Sequence, residues 1–431
     1  MPVRNLQILV ALMVVCLACY FQAERLKYAG KLGYAILKIK DNYVDEVDPQ
    51  DLYMAAMEGM ISKLDQFSEF IPPTKYEEFQ SMIEQQFGGL GILIEGPPAV
   101  PQLTVVAPIP GSPAFAAGMQ PGDVITRIGE KSTEGLQATD ATALMRGPIG
   151  EPVTLQVKRL GESQPLSISI RRGDIQVDSV YGDRIRQDSS WDYFLEEDSR
   201  IACIRITLFG EKTVSEFKKA LSAVKKSARA VIIDLRFNPG GLLPAAVEMC
   251  DMLLDHGTVV STRGRHNRLL HEFAADRELS LDPSIPMVVM INDHSASASE
   301  IMAGCLQDLG RAKIAGERSY GKGTVQQVFP LENDQTALKF TTARFYRPSG
   351  KNIHRGEEMT PEDEWGVLPE SNMDRPLSDL EELYLHLRWR HRGDPRLMTA
   401  SERPPAPPLA GDPQLKLAVD YLQKILADQK L

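Results

Sequence analysis

Two segments of this chain are apolar almost throughout, and each runs straight into a helix-forming pattern. Ala230-Val231-Ile232-Ile233-Asp234-Leu235 leads through Asn238-Pro239-Gly240-Gly241 into a stretch carrying Ala245, Val247, Met249, Leu253 and Leu254 at helical spacing. Pro286-Met287-Val288-Val289-Met290-Ile291 leads through Ser295-Ala296-Ser297-Ala298-Ser299-Glu300 into Ile301, Met302, Cys305 and Leu306. A strand with one wet face alternates apolar and polar residues, so a strand apolar on both faces must be covered on both. Strand followed by helix, twice over, predicts a largely parallel sheet between helical layers. Functional groups in such sheets collect beyond the carboxyl ends of the strands, where both special turns lie.

The rest of the chain has other textures. At 431 residues it exceeds one typical domain, so two or three are expected. Residues 25–84 read as helical, with apolar positions at Leu32, Ala35, Ile36 and Ile39 and again at Leu52, Ala55, Ala56, Gly59, Met60 and Leu64; Asp65 to Pro73 breaks the pattern. A helical pair alone serves packing or dimerisation. Residues 85–172 carry short β-prone runs, Leu90–Ile94, Leu103–Val106 and Val153–Val157, between Gly and Pro turns. The strand–helix alternation occupies residues 173–375. Residues 376–431 form a C-terminal helical region with one helix from Leu377 to Trp389, a Pro-rich linker at Pro404–Pro408, and a last helix from Pro413 to Ala427.

Residues 1–24 have the plan of a signal peptide or signal anchor: Arg4, an apolar run from Ile8 to Phe21, then charged sequence from Glu24. The small-x-small cleavage pattern is poorly formed because Phe21 stands two places before Ala23. The reading is export with the segment kept as an anchor, and hence an extracytoplasmic location with a membrane contact at the N-terminus. Cys203, Cys250 and Cys305 sit in apolar patterns and read as core residues, with neither a disulfide framework nor CxxC spacing. The net charge of −10 argues against nucleic acid as a partner. The histidines show no metal-ligand spacing, so neither metal nor cofactor is expected.

Three segments carry candidate chemistry. Ser297 falls where strand becomes helix, within reach of helix-start amides that stabilise negative charge. The same residues fit a capping box, Ser297 with Glu300 three places on, and Ser295 and Ser299 are rival nucleophiles. Lys322 stands between Gly321 and Gly323; a Lys there is ordinarily a solvated turn residue, and acts as a base only when its pKa is brought down from ~10.4 by burial. Asn238-Pro239-Gly240-Gly241 is either a plain turn or half of an oxyanion hole, with Ala298 N–H as the second donor. His294 precedes Ser297 on the same turn, a poor position for a Ser-His-Asp triad. Asp123 and Arg236 read as structural residues.

Gly88-Gly89-Leu90-Gly91-Ile92 together with Ala117-Gly118-Met119-Gln120-Pro121-Gly122-Asp123 resembles a PDZ domain over residues 85–172. The resemblance implies that Gly89, Leu90, Gly91 and Ile92 bind a peptide carboxylate beside a strand edge that accepts an extended peptide. The order of that segment, Asp234-Leu235-Arg236-Phe237-Asn238-Pro239-Gly240-Gly241, the Ser-Ala turn and Gly321-Lys322-Gly323-Thr324-Val325-Gln326 resembles the carboxyl-terminal processing peptidases, the PDZ-containing Ser-Lys proteases of family S41. The resemblance runs from about Lys31 to Pro369. It implies a multidomain α/β protein: a helical N-terminal region, a PDZ-like β domain and a peptidase core of the crotonase/ClpP-like kind. It makes Ser297 the nucleophile, Lys322 the general base and Gln326 the residue that orients it, with Gly240 or Gly241, the latter preferred, and Ala298 forming the oxyanion hole. Substrates would be unstructured polypeptides with exposed or apolar C-termini. Tyr320 and Phe237 depart from the family pattern, Leu64-Asp65-Gln66-Phe67-Ser68 lacks its Pro-His, and residues 355–369 are unlike its short connector. The rival readings are an inactive PDZ adaptor, separated by peptide cleavage, and a core that binds small apolar ligands, separated by peptide binding.

Overall fold

A computed structural model describes residues 3–97, 100–109, 111–186, 188, 190–276, 279–331, 336–393 and 411–428. The expected Pro404–Pro408 linker lies outside the described residues. The chain forms two compact units, Met1–Tyr76 with Gln326–Thr341, and Glu77–Val325 with Thr342–Leu431.

In the first unit Val3–Asn42 is one helix, joining the N-terminal apolar run to the following amphipathic stretch. Among the described residues no helix is long and apolar enough to cross a membrane. Asp48 caps the helix Pro49–Ile61 by accepting from Gln50 N at 2.8 Å, with Pro at the position where a missing N–H costs nothing. The break at Asp65–Pro73 contains a short strand, Glu69–Ile71, antiparallel to Ala337–Lys339. Met57, Ile61 and Phe70 pack with Leu331 and Leu338 behind it.

The second unit holds a β domain and an α/β core. In the former, Ile92–Glu95, Thr104–Pro108, Val124–Ile128, Pro152–Lys158 and Leu166–Arg171 form an antiparallel sheet in the order 92–95, 104–108, 124–128, 152–158, 166–171. Strict alternation of buried and exposed residues along Pro152–Lys158 marks a sheet with one wet face. Leu103, Val105, Ile125, Leu155 and Val157 fill its inner face with Ala114 and Met119. Asp123 fixes the Gly122 turn, accepting from Gln120 N at 2.9 Å and from Arg159 Nε at 2.7 Å. The entry and exit of the domain are paired with each other, Gln86–Gly89 against Gly173–Gln176. Gln85, at a φ of 54°, accepts from Lys212 N at 2.9 Å and so ties that junction to the core.

In the core, Ile201–Ile206, Ala230–Asp234, Met287–Ile291 and Lys313–Gly316 lie parallel, and Val180–Tyr181 adds an antiparallel edge. Every residue of Ala230–Asp234 and Met287–Ile291 is buried, which is why neither segment alternates. Ile233, Val289 and Ile291 face the helices Thr213–Val224, Leu243–Asp251 and Ala298–Asp308. Ile232, Val288 and Met290 face the last helix, Pro413–Asp428, through Leu415, Ala418, Val419 and Leu422. The C-terminal helix is therefore a layer of the core. Cys203, Cys250 and Cys305 are buried and free.

One buried charge cluster joins that layer to the strand ends. Arg236, fully buried, donates to Asp234 at 2.7 and 2.9 Å, to Asp412 at 2.9 and 3.0 Å and to Gln414 at 3.1 Å. Burial works to lower its pKa, but the Asp234 and Asp412 carboxylates outweigh this and hold it above the ordinary arginine value. Arg236→Met should cost about 3–5 kcal/mol at neutral pH, because two carboxylates stay buried without their cation. Urea unfolding of the variant and parent at pH 7.5 checks the size.

Candidate active site

Three turns converge beyond the carboxyl ends of the parallel strands. The first follows Ala230–Asp234. Asn238, fully buried, donates from Nδ2 to Ile206 O at 2.8 Å and accepts Gly240 N at 2.9 Å. Its carbonyl accepts Ala296 N at 3.0 Å and Ser299 Oγ at 2.9 Å, stitching this turn to the next. The sequence offered Asn238 only as a turn residue. Gly240 and Gly241 have φ of 99° and 141°, conformations that side chains disfavour. A Cβ on Gly240 would stand 2.8 Å from Ser297 Cβ and 2.9 Å from Ala298 N. One on Gly241 would stand 2.3 Å from Phe209 O.

The second turn carries the three serines, and their environments differ. Ser295 is fully buried, donating to Leu235 O at 2.8 Å and accepting Asn292 N at 2.9 Å. Ser299 is fully buried and spends its hydroxyl on Asn238 O. Ser297 is half-buried at the start of Ala298–Asp308, with φ 55° and ψ −112°. That backbone is strained for an L-residue, at a cost of order 1–3 kcal/mol. The expected capping box is there, with the Ser297 side-chain oxygen facing the Glu300 N–H and the Ser297 N–H donating to Glu300 Oε2 at 2.8 Å, while the Ser297 hydroxyl proton has no acceptor among the described residues. Among the described residues neither Gly241 N–H nor Ala298 N–H has an acceptor, whereas Gly240 N–H is held by Asn238. Two amides without acceptors, one at a helix N-terminus, thus lie beside a hydroxyl whose proton is uncommitted, an arrangement suited to negative charge. His294 lies exposed against Asp293 at 2.7 Å and the Phe237 ring.

The third turn carries Lys322, which is half-buried. Tyr320 N donates to Ser295 O at 3.0 Å, laying this turn along the second. Glu300, fully buried, takes four donors: Ser319 Oγ at 2.6 Å and Gly321 N at 2.7 Å on Oε1, and Lys322 N and Ser297 N, each at 2.8 Å, on Oε2. Burial pushes its carboxyl up to about 7 against all four donors, which favour the ionised form. Behind the turn, residues 352–367 form a brace. Arg355 N donates to Gly321 O at 2.9 Å, Val367 N to Ser319 Oγ at 2.7 Å, and Trp365 stacks between Arg318 and Arg355. A Cβ on Gly323 would stand 2.4 Å from His354 N, so the glycine lets the brace approach.

Gln326 falls in the first unit, where its Nε2 donates to Thr341 Oγ1 at 3.0 Å and Thr341 N donates to Ser68 Oγ at 3.3 Å. Of the expected peptide-binding residues, Gly89 ends the strand paired to Gly173. Leu90 is buried in the β-domain core. Gly91, at φ 74°, lets Ser112 approach, and Ile92 opens the strand at the sheet edge. The expected strand over Leu90–Ile94 therefore begins at Ile92, because Leu90 and Gly91 form a bend held by Ala114 N on Leu90 O.

The three serines should separate by stability. Ser295→Ala and Ser299→Ala each remove the partner of buried polar groups and should cost about 1–3 kcal/mol, whereas Ser297→Ala should stay within about 0.5 kcal/mol of the parent. Urea midpoints of the three variants decide it.

Residues 200–364 match peptidase family S41, and residues 104–159 match a PDZ domain. The chain is 37% identical over 342 residues to a carboxy-terminal-processing protease of Bartonella bacilliformis, spanning 78% of this chain and 74% of that one. It is 34% identical over 327 residues to the carboxy-terminal processing protease CtpA of Bacillus subtilis, spanning 75% and 66%. A Bacteroides fragilis crystal structure described as an S41 protease superposes with a TM-score of 0.52 at 14% identity, covering 91% of this chain and 97% of that one; that likeness speaks to the fold alone.

Proposed function

The chain belongs to peptidase family S41, as a serine peptidase of the carboxy-terminal processing type with a PDZ domain, and from this premise we propose that Ser297 attacks the scissile carbonyl with Lys322 as its base. The unprotonated Lys322 amine accepts the Ser297 proton as the hydroxyl adds to the carbonyl. The resulting oxyanion sits between Gly241 N–H and Ala298 N–H. Collapse expels the amine product with the proton from Lys322 and leaves an acyl-enzyme. Lys322 then takes a proton from water, which releases the acyl group.

The observation that carries this reading is the pair of amides without acceptors, among the described residues, beside Ser297, the one serine of its turn whose hydroxyl proton has no acceptor there. It also favours Gly241 over Gly240 as donor, since Gly240 N–H is already spent. The PDZ domain, residues 85–172, captures polypeptide C-termini by strand addition along Ile92–Glu95, an edge of its sheet. Residues 173–325 and 342–375, completed by the last helix, Pro413–Asp428, are the peptidase core, of the crotonase/ClpP-like kind, and the parallel order of its strands supports that assignment. The apolar N-terminal run supports export and an extracytoplasmic site of action.

Ser297→Ala and Lys322→Ala should each lower cleavage of an unfolded protein with an apolar C-terminus by about ten-thousand-fold, while Ser295→Ala, once folded, should cleave at close to the parental rate. The acylation rate should rise with pH through neutrality, because only the unprotonated amine accepts a proton. A stopped-flow acylation profile that stays flat from pH 6 to pH 9 would exclude Lys322 as the base.

A further inference from the structure

The carboxylate of Glu300 does more than cap a helix. A capping-box glutamate takes one N–H, from the residue three places before it, and keeps its other oxygen in water. Glu300 has no exposure, and three of its four donors come from the turn of the general base. Removing a carboxylate from water costs several kcal/mol, so a buried one must be compensated at every lone pair. Here the compensation comes from both turns at once. Oε2 alone accepts Ser297 N–H and Lys322 N–H, so the two nitrogens can be no further apart than those two bonds laid end to end. Oε1 takes Gly321 N and Ser319 Oγ, and Ser319 Oγ in turn accepts Val367 N, which extends the hold to the brace.

We propose that Glu300 is the positioning residue of this peptidase: it sets the separation of nucleophile and base by gripping both of their backbones through one buried carboxylate. The proposal rests on the assignment of Ser297 and Lys322 given above. The strain at Ser297 fits it. A positive φ persists only where surrounding contacts hold it, and the Ser297 N–H is held by Glu300. Neither oxygen touches substrate; Glu300 acts only through the two turns. The requirement is for a carboxylate rather than a polar group of that size. A glutamine amide has the same shape, but its NH2 would face two donors with a donor of its own.

The test compares full-length parent, Ser297→Ala, Glu300→Gln and Ser319→Ala, the last keeping the carboxylate and deleting one of its donors. Each is labelled with a fluorophosphonate, recording rate and endpoint, and assayed for kcat and KM on an unfolded protein substrate. Glu300→Gln should label to the parental endpoint about 100-fold more slowly, with kcat falling by the same factor and KM nearly unchanged, as displacement of reacting groups requires. Ser319→Ala should lose about 3- to 10-fold in both rates. A merely structural role gives the opposite pattern: the endpoint falls while the surviving fraction labels at the parental rate, and that result would overturn the proposal. If Glu300→Gln does not fold, Ser319→Ala decides, and a parental labelling rate there refutes it. Cleavage by Ser297→Ala would remove the active-site assignment and this inference with it. A silent Ser297→Ala beside a fully active Glu300→Gln removes the inference alone.

Discussion

A carboxylate with no access to water and four donors on its two oxygens is the contact on which this site depends. Polar groups are buried at such cost that their partners are seldom optional. Glu300 stands in the first turn of Ala298–Asp308, so its position is set by a helix packed on the sheet, and the Lys322 turn is fastened to that helix rather than left as a surface loop. The same economy runs through the neighbouring turns. Asn238 uses its amide and carbonyl to bind the glycine turn to the serine turn, and Ser295 binds the serine turn to Leu235. Once these bonds are made, the Ser297 hydroxyl proton and the Gly241 and Ala298 amides are without acceptors among the described residues.

The turns can hold strained backbones because the layer beneath them is rigid. Ala230–Asp234 and Met287–Ile291 are buried on both faces, by the helices Thr213–Val224, Leu243–Asp251 and Ala298–Asp308 on one side and by Pro413–Asp428 on the other. Phe237 and Ser297, both at positive φ, lie in the turns that follow Ala230–Asp234 and Met287–Ile291. Arg236 couples the arrangement to the C-terminus, since its guanidinium meets Asp412 at the start of the last helix while its backbone leads into the glycine turn. The end of the chain thus bears on the geometry of a site formed far earlier in it.

Much of this was legible in the residues. Strands apolar at consecutive positions cannot be half-exposed, which identified the parallel core, and the alternation of Val153–Val157 identified a sheet with one wet face. The site was legible at the level of segments. What the sequence left open was which of three serines is uncommitted, which of two glycines offers its amide, and what Glu300 binds besides the helix start. Each depends on groups distant in the chain: Ser299 on Asn238, Gly241 on Phe209, Glu300 on Ser319, Gly321 and Lys322. Residues 355–369, whose sequence matched no short connector, turn out to brace the Lys322 turn through Arg355, Trp365 and Val367. A Glu beside Ala298, Ile301 and Met302, at the start of a run apolar from Ile301 to Leu306, was the one available signal for its burial, and the capping box gave a sufficient local reason for it.

The sequence by itself determined the elements, because periodicity and burial follow from local side-chain chemistry. The order of the glycine turn, the serine turn and the Lys322 turn carried the resemblance to the peptidase family, which the matches to known proteins bear out. Tertiary structure alone decided which hydroxyl and which amides are left without partners. Satisfaction of a buried polar group is a property of everything packed around it, and the contacts that consume Ser295, Ser299, Gly240 N–H and Glu300 come together only when the three turns meet.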